Sequence, residues 1–118
     1  MNLADYDVLS FDCYGTLIDW EAGILEVLRP WAQQAGSPLS DDELLEMHGV
    51  NESQAQRDSP SALYPRILAD AFAQTGRALG IPVSAEWADK LGASVSDWPA
   101  FEDSADALAS LGESCKLV

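Results

Sequence analysis

Apolar and polar positions follow two different periods along these 118 residues. Near the N-terminus a short, nearly unbroken apolar run, Val8-Leu9-Ser10-Phe11, ends at Asp12. Such a run, closed by polar residues and a glycine, predicts a buried β-strand over residues 7–12. Beyond it the spacing changes to three and four. Ile24, Leu28, Trp31 and Ala35 share one face of a helix from Trp20 to about Ala35, which Pro30 is expected to kink or split and Gly36-Ser37-Pro38 to end. Ser40-Asp41-Asp42-Glu43 has the pattern of a capping box and opens a short helix to about His48. The stretch from Gly49 to Ser61 is polar and carries Pro60, which predicts a loop.

The clearest helix runs from Leu63 to Leu79. Leu63, Ile67, Leu68, Ala71, Phe72, Thr75 and Leu79 form its apolar stripe, and Gly80 and Pro82 stop it. Ser84 is a suitable N-cap for a further helix whose buried face is Trp87, Leu91 and Val95. Asp97-Trp98-Pro99 breaks the chain, a last short helix covers Ser104 to Leu111, and Lys116-Leu117-Val118 begins a second strand.

The order strand, helices, helix, strand is that of an α/β protein. In open α/β sheets ligands gather beyond the C-terminal ends of the parallel strands. Asp12 falls at such an end and is the candidate nucleophile. Gly15 behind it allows a sharp turn.

The run Phe11-Asp12-Cys13-Tyr14-Gly15-Thr16-Leu17-Ile18-Asp19-Trp20 resembles the first motif of the haloacid dehalogenase superfamily. Superfamily phosphatases carry a second Asp two residues after the first. Here Tyr14 stands at that place, as in the type II 2-haloacid dehalogenases. The resemblance implies a Rossmannoid core with an inserted all-helical cap: residues 1–18 as first core strand and motif loop, 19–98 as cap, 99–118 as the return to the core. The Asp-Trp pairs at both borders, Asp19-Trp20 and Asp97-Trp98, are expected either to pack the cap on the core or to serve as ordinary core aromatics.

The resemblance also implies the chemistry. Ionised Asp12 attacks the carbon that bears the halogen, halide leaves, and water cleaves the resulting ester. A carboxylate nucleophile divides one hard displacement into two easier steps. Cys13 and Tyr14 are expected to hold the substrate carboxylate through their backbone N–H groups, and Thr16 to fix the Asp12 rotamer. No metal or other cofactor is needed for these steps. Magnesium enters only under the alternative of a phosphatase or another small-molecule hydrolase, for which Tyr14 is a poor substitute acid, its ordinary pKa being ~10.

The sequence departs from the family in two respects. Dehalogenases of this type use an early cap arginine to bind the leaving halide, whereas this chain has Leu44, Leu45, Glu46, Met47 and His48 near that place. Arg57 and Arg66, further along, are the candidates for a halide or carboxylate contact, against an ordinary reading as surface residues. The second, third and fourth family motifs do not occur by Val118. The chain therefore reads as an N-terminal fragment, expected to be inactive alone. It is expected to self-associate as a homodimer through a strand edge near Lys116–Val118, or to serve as a non-catalytic assembly module.

Composition narrows the partners. Twenty acidic residues against six basic give a net charge of −14, which disfavours nucleic acid and anionic membrane surfaces. The family resemblance, rather than composition, implies a small anionic substrate. No apolar run approaches the ~18 residues that would read as a membrane span. The N-terminus lacks a signal-peptide pattern, and Cys13 and Cys115 form neither a metal-binding spacing nor a disulfide framework, so a cytoplasmic protein is expected.

Overall fold

The computed structural model describes residues 2–118. The chain divides into two compact units, one running through Trp20 and resuming over Trp98–Val118, the other spanning Glu21–Asp97.

The first unit carries the strands. β1 (Val8–Leu9) pairs in parallel with β2 (Lys116–Leu117), Val8 opposite Lys116 and Leu9 opposite Leu117. The ladder reaches past these short strands: Lys116 N donates to Asp7 O at 2.9 Å, Val118 N to Leu9 O at 2.9 Å and Phe11 N to Val118 O at 3.0 Å. The paired backbone thus covers most of the strand predicted over residues 7–12, and Asp12 follows its last bond. Burial differs from the expectation. Val8 is 50% exposed, because two paired strands present their faces to solvent unless further strands or helices cover them. A 3-10 turn (Leu3–Asp5) precedes β1, and the buried Cys115 thiol donates to Tyr6 O at 3.2 Å. The closing helix α5 (Ser104–Gly112) leads into β2.

The second unit is helical. α1 (Trp20–Gln34) buries Ile24, Val27, Leu28 and Trp31, and Pro30 lies within it without ending it. Ala35 falls beyond the helix and is exposed. α2 (Asp41–Asp58) opens on the expected capping box: the Ser40 side chain accepts from Glu43 N, and Ser40 N donates to Glu43 Oε2 at 2.8 Å. It then continues far beyond His48, through the residues read as a loop. The polar stretch is the solvent face of a helix, while Leu44, His48 and Ala55 turn inward. Three buried positions among eighteen residues are too sparse a stripe for the pattern alone to reveal.

α3 (Tyr64–Leu79) is the central helix, with Ile67, Leu68, Ala71, Phe72 and Thr75 buried. Leu63, expected in its stripe, is instead the N-cap and 79% exposed. Gly80 ends the helix with φ 69°, the left-handed conformation that favours glycine. α4 (Ala85–Ala93), capped by Ser84, packs on α3, and a 3-10 turn (Ser94–Asp97) follows. The α3–α4 crossing is close: a Cβ on Gly92 would lie 2.5 Å from the carbonyl oxygen of Pro65. Leu91 is fully buried, Trp87 and Val95 partly. The Trp31 ring meets Phe72 edge-on at 5.0 Å.

Candidate active site

Asp12 leaves the β1 ladder at the head of a tight loop. The carbonyl of Cys13 accepts three backbone bonds, from Thr16 N at 3.2 Å, Leu17 N at 2.8 Å and Ile18 N at 3.0 Å. Gly15 N donates to Ile18 O at 2.8 Å. The turn requires φ 85° at Gly15, and a Cβ there would meet the Trp20 indole nitrogen at 3.3 Å. Glycine therefore satisfies two demands at this position, one of conformation and one of space.

The far side of the loop is bound to the returning chain. Ile18 forms an antiparallel bridge with Ala100. Asp19 N donates to Pro99 O at 2.8 Å, and Phe101 N to Leu17 O at 3.1 Å. The hydroxyl of the buried Ser104, at the start of α5, donates to the same Leu17 carbonyl at 2.8 Å. Both lone-pair directions of that carbonyl are thus used, and the loop is fixed by segments 87 residues apart.

Of the expected site residues, Asp12, Cys13, Tyr14 and Thr16 stand together here. The Thr16 hydroxyl donates to Asp12 Oδ2 at 3.3 Å, a contact suited to holding the carboxylate rotamer. Asp12, Cys13 and Tyr14 are exposed. The Tyr14 ring stands edge-on to Trp98, with centroids 5.3 Å apart and planes at 72°.

Arg57 and Arg66 lie in the helical unit, on α2 and α3. Arg57 Nη2 donates to Gln54 Oε1 at 2.8 Å, and Arg66 Nε to Asp70 Oδ2 at 3.0 Å, each a neighbour on its own helix. Both are exposed.

His48, expected near a helix end, is instead inside α2 and fully buried. Burial pushes its pKa down to about 4, so it is neutral at pH 7. Its Nε2 lies 3.6 Å from Glu52 Oε2, too long for a hydrogen bond, and the contact is not an ion pair when the ring is uncharged. Burial raises the Glu52 pKa, while a 3.0 Å hydrogen bond from the Tyr64 hydroxyl opposes that shift.

The sequence reading did not identify the support behind the loop: Pro99, Ala100, Phe101 and Ser104, with Trp98 against Tyr14. The bonds that define it mostly use main-chain atoms, which every residue carries, so no local pattern marks them. Among the described residues no three His, Cys, Asp or Glu side chains cluster as a metal site. No helix among them is long and apolar enough to cross a membrane.

No family model and no curated protein sequence matches this chain. Solved structures do. The defluorinating L-2-haloacid dehalogenase Rha0230 superposes with a TM-score of 0.72 at 16% identity, over 95% of this chain and 49% of that one. The putative HAD-hydrolase YfnB from Bacillus subtilis, solved bound to magnesium, superposes with a TM-score of 0.65 at 16% identity, over 95% of this chain and 50% of that one. The chain thus spans about half the length of these structures. Its fold is that of haloacid dehalogenase-like proteins, part of a Rossmannoid core together with a helical cap.

Proposed function

We propose that this chain carries the nucleophile of a hydrolase acting on short 2-haloacids. The observation that carries the reading is the Asp12 loop: a carboxylate just past a parallel strand, hydrogen-bonded by Thr16, with an aromatic residue where alcohol-releasing relatives need a second acid. In the first step an Asp12 carboxylate oxygen attacks C2 of the haloacid. A C–O bond forms, the C–halogen bond breaks with its electron pair, and halide departs. In the second step water adds to the carbonyl carbon of the Asp12 ester. The carboxylate is regenerated with one water-derived oxygen, and a 2-hydroxy acid and a proton are released. Attack at C2 from the side opposite the halide inverts that centre, and ester cleavage at the carbonyl leaves the inversion intact. Halide is a competent leaving group without protonation, so a Tyr at position 14 costs this reaction nothing. A small anionic substrate also suits an acid-rich chain only if local donors hold its carboxylate, the role we assign to the backbone around Cys13 and Tyr14.

The alternative, phosphate-ester hydrolysis, draws on the magnesium-bound neighbour. It needs an acid for the departing alcohol and several oxygen ligands for the cation. The loop offers Asp12 with Tyr14 and no clustered second carboxylate among the described residues. These side chains do not fit a magnesium site.

Covalent capture tests the reading. The protein is incubated with (S)-2-bromopropionate and mapped by peptide mass spectrometry. Capture reads the first displacement alone and needs no turnover. Even from a chain expected to be inactive in turnover, an ester on Asp12, formed with matching bromide release and lost in Asp12→Asn, is expected. Labelling scattered over the acidic side chains without preference for Asp12, or none at all, overturns it. A second incubation with a phosphate monoester that yields an Asp12 acyl phosphate instead selects the alternative.

A further inference from the structure

Tyr14 poses a mechanical problem. Tyr14 is 44% exposed, yet it belongs to the loop that presents Asp12. Trp98 answers the problem. It is only 6% exposed, and its indole meets the Tyr14 ring in the edge-on arrangement that aromatic quadrupoles favour. The two rings also rest on backbones that are joined. Directly after Trp98, Pro99 accepts from Asp19 N, Ala100 bridges Ile18, and Phe101 donates to Leu17. Directly after Tyr14, Gly15 closes on Ile18. The ring pair is therefore set between two strands of chain whose spacing is already fixed.

We infer that Trp98 is a positioning residue for the Asp12 site: it holds the Tyr14 ring in one place beside the nucleophile and so shapes the space open to the group on C2. This rests on the haloacid reading and extends it to substrate fit. Without the indole edge, the Tyr14 ring loses that contact, and a binding event must bear the cost of ordering it. The loss falls on binding rather than on the displacement itself, because Trp98 does not supply the reacting atoms.

The test combines a spectroscopic and a kinetic arm. The protein is labelled with 3-fluorotyrosine; it has three tyrosines, and Tyr14→Phe identifies the signal of Tyr14. In Trp98→Leu that signal is expected to move and broaden. The (S)-2-bromopropionate concentration giving half-maximal Asp12 labelling is expected to rise about three- to tenfold, the range of an aromatic pair, while the limiting rate stays within about twofold. Trp98→Phe, which keeps an aromatic edge, is expected to restore the half-maximal concentration to within about twofold of the wild type. An unmoved Tyr14 signal in Trp98→Leu overturns the inference. So does a moved signal with labelling unchanged, or a Trp98→Phe variant no better than Trp98→Leu. Should Trp98→Leu fail to fold, Trp98→Met, a longer and more adaptable side chain without an aromatic edge, takes its place under the same criteria. Wild-type protein that is not labelled at Asp12 overturns the haloacid reading itself and this inference with it; labelled wild type with indifferent Trp98 variants overturns the inference alone.

Discussion

Each unit is stabilised internally by a different kind of force. In the helical unit Ile24, Leu28, Leu68, Ala71, Phe72 and Leu91 are closed to solvent, and side-chain burial does the stabilising. In the strand-bearing unit Tyr6, Val8, Tyr14 and Val118 are 44% to 79% exposed. There the shape rests mostly on main-chain bonds: the parallel ladder, the Cys13 carbonyl with three backbone donors, and the Leu17 carbonyl, which accepts from Phe101 N and from the Ser104 hydroxyl. The comparison teaches where precision comes from. A carboxylate that is to act as the proposed nucleophile has to be reachable, so it cannot be positioned by burying it. The loop is instead fixed by backbone bonds that leave Asp12 exposed.

That contrast makes predictions of graded size. Phe72→Ala is expected to destabilise the helical unit by about 3–5 kcal/mol, read from denaturant unfolding. A loss below about 1 kcal/mol would mean that burial is not what holds this unit.

Acid is expected to act on the same unit through His48. Its folded pKa, about 4, lies below the ordinary value of 6.5, so the unfolded chain takes up a proton that the folded chain refuses. Stability is complete above pH 6.5 and declines as pH falls toward 4, by about 3 kcal/mol from this group alone. Glu52 works in the opposite sense. Its raised pKa means the folded state keeps a proton that the unfolded state loses, so its contribution favours the fold at low pH and fades as pH rises from 4.5. The net acid loss is therefore smaller than the His48 share. In His48→Leu the decline between pH 6.5 and 4 should vanish, and its persistence would assign it to other groups.

In the strand-bearing unit, Gly15→Ala is expected to cost about 1–2 kcal/mol through the left-handed backbone it must adopt. Slower Asp12 labelling should accompany that loss. Unchanged labelling would show that the loop tolerates a different turn. The smallest effect is expected for Ser40→Ala, about 1 kcal/mol from the loss of the α2 cap, with Asp12 labelling unaffected.

Much of the helical unit was legible in the chain. The α3 stripe, the Ser40 capping box and the Ser84 cap are local patterns, and local patterns decide helices when a continuous apolar face is available. The length of α2 was not legible, because its inward positions, Leu44, His48 and Ala55, are too few to outweigh a polar composition. Only the packing of α3 against it shows why those residues are helical.

The Asp12 loop divides the same way. Sequence alone determined that a strand leads to Asp12, that Gly15 turns the chain, and that Thr16 is near enough along the loop to hold the carboxylate. The tertiary structure decided that Pro99, Ala100, Phe101 and Ser104 fasten the loop from behind and that Trp98 meets Tyr14. The reason is physical. A turn and a strand end are set by the conformations their own residues allow, whereas a bond to a carbonyl 87 residues away depends on where the fold brings two backbones together.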